Sequence, residues 1–286
     1  FGPVFVGRGV VQISSYVDTI VASLLPTGAV AAMLYAQMIS ILPVSLFGMS
    51  ISAAELPAMS SATGDEATIA ETLRARLDAG LRRIAFFIVP SAAVFLALGD
   101  VAAAAIYQSG DFTREDAVLV WAILAGSAVG LLAITEARLY SSTYYALRDT
   151  RTPLKYAAVH VAISAALGFT LAVYGPGWVG VDQIWGVAGM RVAAGVGGFV
   201  EFLLLRRTLN RRIGRTGLPV SLLAKLWGAA TLAAAAGWGV KLALPFLHPI
   251  ALAVVVFGAF GAVYLGAAVA LGIPEVSQAK RLLRRR

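Results

Sequence analysis

The sequence predicts an all-α polytopic membrane bundle of about eight transmembrane helices. Three observations lead there. Hydrophobic residues make up 59% of the 286 and charged residues only 13%, where a soluble domain carries about 25% charged residues. Mean hydropathy is +0.82. The apolar runs also recur at about the 20-residue length that a helix needs to cross a hydrocarbon core near 30 Å.

In order, the spans fall at roughly 9–25, 29–57, 84–107, 116–146, 153–174, 183–205, 220–244 and 249–273. The first, within "VVQISSYVDTIVASLLP" (10–26), carries Asp18 near its middle. The second and fourth are long enough to tilt or to protrude into water, and Pro43 and Pro90 sit inside the second and third. A mid-helix proline frees a carbonyl and introduces a kink. Thr113 with Asp116 makes a capping-box-like start for the fourth span. Thr152 followed by Pro153 suits an N-cap and first helical position for the fifth. Between spans two and three, Ile69, Leu73, Leu77 and Leu81 recur every four residues, with Glu71, Arg74, Arg76, Asp78 and Arg82 on other faces. That pattern over 67–83 suits a helix in the cytoplasmic interface or, equally, a connector packed on the bundle.

Of the 23 Lys and Arg residues, all but Arg114, Arg191 and Lys241 fall on alternate connections or at the two ends. The opposite connections are short and poor in cations. By the positive-inside rule both ends of the chain are cytoplasmic. The net charge of +8 is then a topology signal and a fit to anionic membrane lipids, and nucleic acid is not needed to explain it. Residues 1–8 lack a charged start and a small-residue cleavage site, and the chain begins at Phe1; a fragment whose N-terminal part is missing is expected.

The sequence has no cysteine and only two histidines, His160 and His248, so disulfide and thiolate chemistry are excluded and a histidine-rich metal centre is not expected. It has no Walker loop, HExxH pair or nucleophile elbow. The glycines of "GVAGMRVAAGVGG" read as close helix packing, since no phosphate-cradling context surrounds them. Four charges are predicted inside the membrane: Asp18, Glu136, Arg191 and Glu201. Glu201 is about one turn from the basic end of its span, where Arg206 or Arg207 could neutralise it, and Arg138 can snorkel beside Glu136. Asp18 and Arg191 are each about 12–15 Å of helix rise from either end. A carboxylate at that depth costs roughly 2.5–3.5 kcal/mol, so it is expected to be protonated, to bind a cation, or to pair with Arg191.

Three stretches carry a resemblance. "SSTYYALRDTRTPLKY" (141–156) resembles the "FYALGDTRTP" element of the MurJ (MviN) family of lipid II flippases, "SLLPTGAVAAMLYAQMISILPVSLFGMSIS" (23–52) is similar to its seventh-to-eighth helix segment, and "IYQSGDFTRED" (106–116) matches its "F-x-x-G-x-F-T-x-x-D" loop. The order and spacing agree along essentially the whole chain. The resemblance implies a MATE-like C-lobe over 1–205, then two extra C-terminal helices and a basic tail over 206–286, with the N-lobe missing. It implies no enzyme and no cofactor. The implied protein is a transporter in the bacterial cytoplasmic membrane that moves a polyprenyl-pyrophosphate-linked peptidoglycan precursor to the outer leaflet by alternating access. A flippase for another lipid-linked glycan and a non-transporting envelope scaffold are the alternatives. Na+, H+ and the membrane potential are the alternative driving forces.

The cavity candidates that follow are Arg8, Gln12, Gln37 and Met38. The family commonly has a cavity arginine where Met38 stands, and Arg8 is either a partial substitute or a topology anchor. Asp18 falls on an acidic position that the family associates with a coupling cation. The family's amide neighbours are replaced by Ser164, a weak cation neighbour, and Gly168, while Arg191 stands where small polar residues are expected. Arg191 is therefore expected to take the cation's place and pair with Asp18.

Overall fold

The computed structural model describes residues 16–276, and among them it contains helices and no strands. The described helices are α1 (residues 16–23), α2 (Ala29–Pro43), α3 (Ser50–Ser60), α4 (Glu66–Tyr107), α5 (Arg114–Ala146), α6 (Arg151–Val173), α7 (Gly175–Val179), α8 (Gly186–Ile213), α9 (Val220–Ala243) and α10 (Pro249–Ala270). Among the described residues seven helical segments are long and apolar enough to cross a membrane, and α2 and α3 together form one of them. The first predicted span, 9–25, lies partly outside the described residues; its helix is seen from residue 16.

α5 is the central element, packed along α4 on one side and α8 on the other, with α6 laid on α8. Glycines make the α5–α8 approach close: a side chain on Gly130 would collide with the backbone of Gly195. The packing role read for that glycine run is thus served at a backbone-to-backbone crossing. α9 and α10 form a hairpin against α4 and share a second apolar cluster with it, built from Phe86, Val89, Leu226, Val256 and Phe260.

The breaks in the helices follow from local chemistry. Pro43 ends α2, and the chain widens into a π-helical turn, Val44–Met49, before α3. Proline has no N–H for the carbonyl four residues back, and a π-turn re-spaces the ladder at such a break. Gly48 in that turn lies so close to Thr135 of α5 that a Cβ would overlap it. Pro90 leaves α4 helical. It frees the carbonyl of Phe86, and the Tyr264 hydroxyl of α10 donates to that oxygen at 2.7 Å. The kink in α4 falls instead at Leu98 (φ −134°, ψ 15°), where Trp121 Nε1 donates to the Leu96 carbonyl at 2.9 Å.

The helix over 67–83 continues without interruption into α4's membrane-spanning part, and its Leu73, Leu77 and Leu81 are buried in the main core. That is the geometry of a connector packed on the bundle. Several arginines read as topology markers are ion-paired there: Arg83 donates to Glu55 of α3 at 3.0 Å, and Arg76 lies 3.7 Å from the same carboxylate. The loop after α8 is also tied down. Asn210 Oδ1 accepts from the Thr216 amide at 3.0 Å, Arg206 donates to the Thr216 carbonyl at 3.0 Å, and Asp78 accepts from the Gly217 amide at 2.9 Å.

The predicted capping box of Thr113 and Asp116 is present at the start of α5. The predicted N-cap at Thr152 is not: α6 starts at Arg151, and Asp149 accepts from the Thr152 amide at 3.0 Å and its hydroxyl at 2.8 Å. Asp149 also meets Arg212 of α8 at 2.8 Å. Burial of Asp149 opposes its charge, but the Thr152 and Arg212 hydrogen bonds outweigh it and hold the carboxyl below the usual carboxylate range. Just before it, Arg148 takes a left-handed conformation (φ 58°), with Asp149 N bonded to Tyr144 O at 2.9 Å and Arg148 N to Tyr145 O at 3.0 Å. This is a Schellman ending to α5, a turn whose left-handed position usually takes glycine. The "RDTRTP" stretch is therefore a compact stop-and-restart between two packed helices.

Candidate functional site

Three helices build a groove. α2 contributes Gln37, Ser40 and Ile41, α5 contributes Ser127, Leu131, Ile134 and Arg138, and α8 contributes Arg191, Ala194 and Gly195. Its volume is about 240 Å3, below the usual 300–1,000 Å3 of a pocket that encloses a drug-sized ligand. It suits the charged part of a larger molecule. Small residues allow the close α5–α8 crossing here: a Cβ on Gly126 would fall 2.6 Å from the Ala188 carbonyl oxygen and 3.2 Å from the Cβ of Arg191.

The groove's electrostatics are unequal along its length. Arg138 is exposed and makes no side-chain ion pair or hydrogen bond among the described residues. Arg191 is three-quarters or more buried, and its Nη1 lies 3.7 Å from Asp18 Oδ2 on α1, with side-chain exposures of 19% and 26%. Arg191 thus touches the groove on one side and Asp18 on the other. The two mid-span charges matched from sequence are brought together, at ion-pair rather than hydrogen-bond distance.

The positions matched from the resemblance to cation neighbours are poor in ligands. Ser164 of α6 is buried with no partner for its Oγ, and Gly168 packs against Ala193. Among the described residues no three His, Cys, Asp or Glu side chains converge. A guanidinium beside the one carboxylate repels a second cation, and a single hydroxyl does not replace the five or so oxygen donors that a hard cation ordinarily gathers.

Below this pair, Glu201 of α8 meets His160 Nδ1 of α6 at 2.6 Å. The expected neutralisation of Glu201 by Arg206 or Arg207 is therefore corrected. A histidine on the facing helix is nearer than a cation at the end of the same helix, and Arg206 is directed at the Thr216 carbonyl. Glu136 is buried, with its Oε1 lacking a hydrogen-bond partner among the described residues. A further pair not anticipated from sequence joins Lys241 of α9 to Asp100 of α4 at 2.5 Å.

Of the sequence-stated cavity residues, Gln37 lines the groove and Met38 beside it is 64% exposed. Arg8 and Gln12 lie outside the described residues. Arg138, Ser40 and Ser127 are the groove residues the sequence reading missed. The available signal was the pairing of polar groups on one helix face, Gln37 with Ser40 at i, i+3 on α2 and Ser127 with Arg138 at i, i+11 on α5.

Comparison with known proteins places this geometry. The family model described as "Lipid II flippase MurJ" matches residues 1–258. The "Probable lipid II flippase MurJ" of Vibrio cholerae is 26% identical over 253 residues, covering 84% of this chain and 46% of the relative. That of Rhizobium meliloti is 29% identical over 225 residues, covering 78% and 39%. A solved structure titled "Lipid II flippase MurJ, inward closed conformation" aligns with a TM-score of 0.75 at 22% identity, covering 94% of this chain and 52% of the other. The chain thus spans about half the length of the relatives it matches. With the family model matched over nearly all of its helices, the chain belongs to the MurJ lipid II flippase family.

Proposed function

We propose that this chain is part of a flippase that carries a polyprenyl-pyrophosphate-linked peptidoglycan precursor, lipid II, from the inner to the outer leaflet of the bacterial cytoplasmic membrane. The observation that carries the proposal is the α2–α5–α8 groove. It presents Arg138, a cation without a side-chain partner among the described residues, together with Arg191, Gln37, Ser40 and Ser127 on a wall otherwise lined by apolar residues. A pyrophosphate needs such cations and donors to leave water, while the polyprenyl tail stays in lipid. Moving it requires no bond to be made or broken, so the reading is transport and not catalysis. An N-lobe packed opposite the groove would complete the cavity, and alternating opening of the two lobes would release the headgroup. Both ends of this chain would face the cytoplasm, by the distribution of its arginines and lysines.

The Asp18–Arg191 pair bears on coupling. A fixed guanidinium in the place of a mobile cation would leave the membrane potential or protons, and not sodium, as the driving force. The exposed Met38, where the family commonly has an arginine, favours as second reading a flippase for a related lipid-linked glycan. The test is complementation: the full-length gene product is expressed in cells depleted of their own lipid II flippase. Growth is the expected result. Lysis despite normal membrane expression would shift the substrate to another lipid-linked glycan or the role to that of a scaffold.

A further inference from the structure

A second groove of about 240 Å3 opens between α4, α9 and the end of α10, lined by Arg82, Pro219, Ser221, Lys225, Gly272 and Pro274 among others. It shares no lining residue with the α2–α5–α8 groove. We propose that it is a binding site for the headgroup of an anionic phospholipid, which it holds by the phosphodiester.

Four features converge on that ligand. Arg82 is partly buried and has no ion-pair or hydrogen-bond partner among the described residues, although Asp78 lies one turn away. Asp78 instead accepts from the Gly217 amide at 2.9 Å, so the guanidinium is left for something outside the protein. Lys225 Nζ is pinned across the groove by the Leu271 carbonyl at 2.9 Å, with two further donor positions on the ammonium. The Ser221 hydroxyl is exposed and makes no hydrogen bond among the described residues. The amides of Val220 and Ser221 precede the first intrahelical bonds of α9, which run from Leu222 and Leu223 to the Pro219 carbonyl at 3.0 and 3.2 Å. Two cations, a hydroxyl and free amides at a helix start form a donor set for a phosphate oxygen cluster. The surroundings select a lipid over a soluble anion. Val220 and Leu271, each adjacent in sequence to lining residues, expose apolar surface, and the groove sits where membrane-spanning helices α9 and α10 end. A phospholipid would place its phosphate between Arg82 and Lys225 and run its acyl chains along those exposed side chains. The bound lipid would then bridge the C-terminal hairpin to α4.

The experiment is lipid binding to the purified full-length gene product in detergent, followed by native mass spectrometry and by melting. The probes are phosphatidylglycerol, phosphatidylcholine and inorganic phosphate. Phosphatidylglycerol is expected to bind at least about fivefold more tightly than phosphatidylcholine, and Arg82→Gln and Lys225→Gln should each weaken it about fivefold. Arg215→Gln, at the same basic end but outside the groove, should leave binding unchanged. Arg82 has no ion-pair or hydrogen-bond partner to lose among the described residues, so Arg82→Gln should melt normally without lipid even if Lys225→Gln does not. Equal weakening by Arg215→Gln would reduce the effect to general surface charge and overturn the proposal. Unchanged binding in Arg82→Gln, or full displacement of the lipid by inorganic phosphate at equal concentration, would overturn it as well. Lipid II transport enters none of these readouts, so the outcome does not depend on the flippase reading.

Discussion

Replacing Arg191 with alanine removes the guanidinium that lies 3.7 Å from Asp18. At that separation two unit charges attract by about 4–5 kcal/mol at an effective dielectric near 20, and by about 1 kcal/mol in water. Side-chain exposures of 19% and 26% put the pair between these limits, at about 2–3 kcal/mol of coupling. The single change strands a carboxylate in the membrane, so Arg191→Ala should cost about 3 kcal/mol. Asp18→Asn should cost less, because the freed guanidinium still opens onto the groove. The double variant should be less destabilised than the sum of the two by about the coupling energy. The assay is detergent-induced unfolding of the purified full-length gene product, run in sodium and in potassium chloride at equal ionic strength. The pair predicts equal wild-type stability in the two salts. Additivity within about 0.5 kcal/mol, together with stabilisation of the wild type by sodium, would refute the reasoning.

Three further outcomes follow from the helix junctions. Arg148→Gly should raise the melting temperature, gaining about 0.5–1 kcal/mol, because Arg148 sits at φ 58° and glycine relieves that strain at some cost in chain entropy. Asp149→Ala should cost about 1–2 kcal/mol near neutral pH through loss of its hydrogen bonds to Thr152 and its pair with Arg212. The Asp149 carboxyl titrates below its unfolded value, so its contribution is full above about pH 4 and disappears as pH falls through the lower folded value. The difference between wild type and Asp149→Ala in a pH series of melts should close accordingly. Tyr264→Phe should cost about 1 kcal/mol by leaving the Phe86 carbonyl unpaired. That cost should shrink in a Pro90→Ala background, where an N–H returns to the carbonyl, as a double-mutant cycle of unfolding energies would show.

Helix number and order were legible because each span had to be long and apolar, whatever its neighbours. Asp18 and Arg191 could be matched because each was a lone charge at mid-depth. Depth on a helix follows from counting residues, and opposite charges at equal depth have few choices. Applied to Asp100 and Lys241, which stand near the same end of their spans, that counting would have found the pair now seen at 2.5 Å. Pairings that depend on rotation about the helix axis were not legible. Glu201 faces His160 of α6 and not the arginines of its own helix. Arg138 turns from a snorkelling residue into part of a groove wall only once α2 and α8 are packed on α5. The break at Leu98 was not legible for a related reason. Pro90 marks a freed carbonyl, which the Tyr264 hydroxyl satisfies while the backbone stays helical, whereas the break at Leu98 has no proline to announce it.

Transport itself can be read directly by following the headgroup. In cells depleted of their own flippase and expressing the full-length gene product, lipid II should become accessible to a membrane-impermeant probe added outside. Arg138→Gln should reduce that exposure several-fold at equal expression, because the groove loses a cation that has no side-chain partner among the described residues. Lipid II that stays in the inner leaflet with the wild-type protein in the membrane would contradict the flippase assignment. Wild-type exposure that Arg138→Gln leaves intact would contradict the role given to the groove.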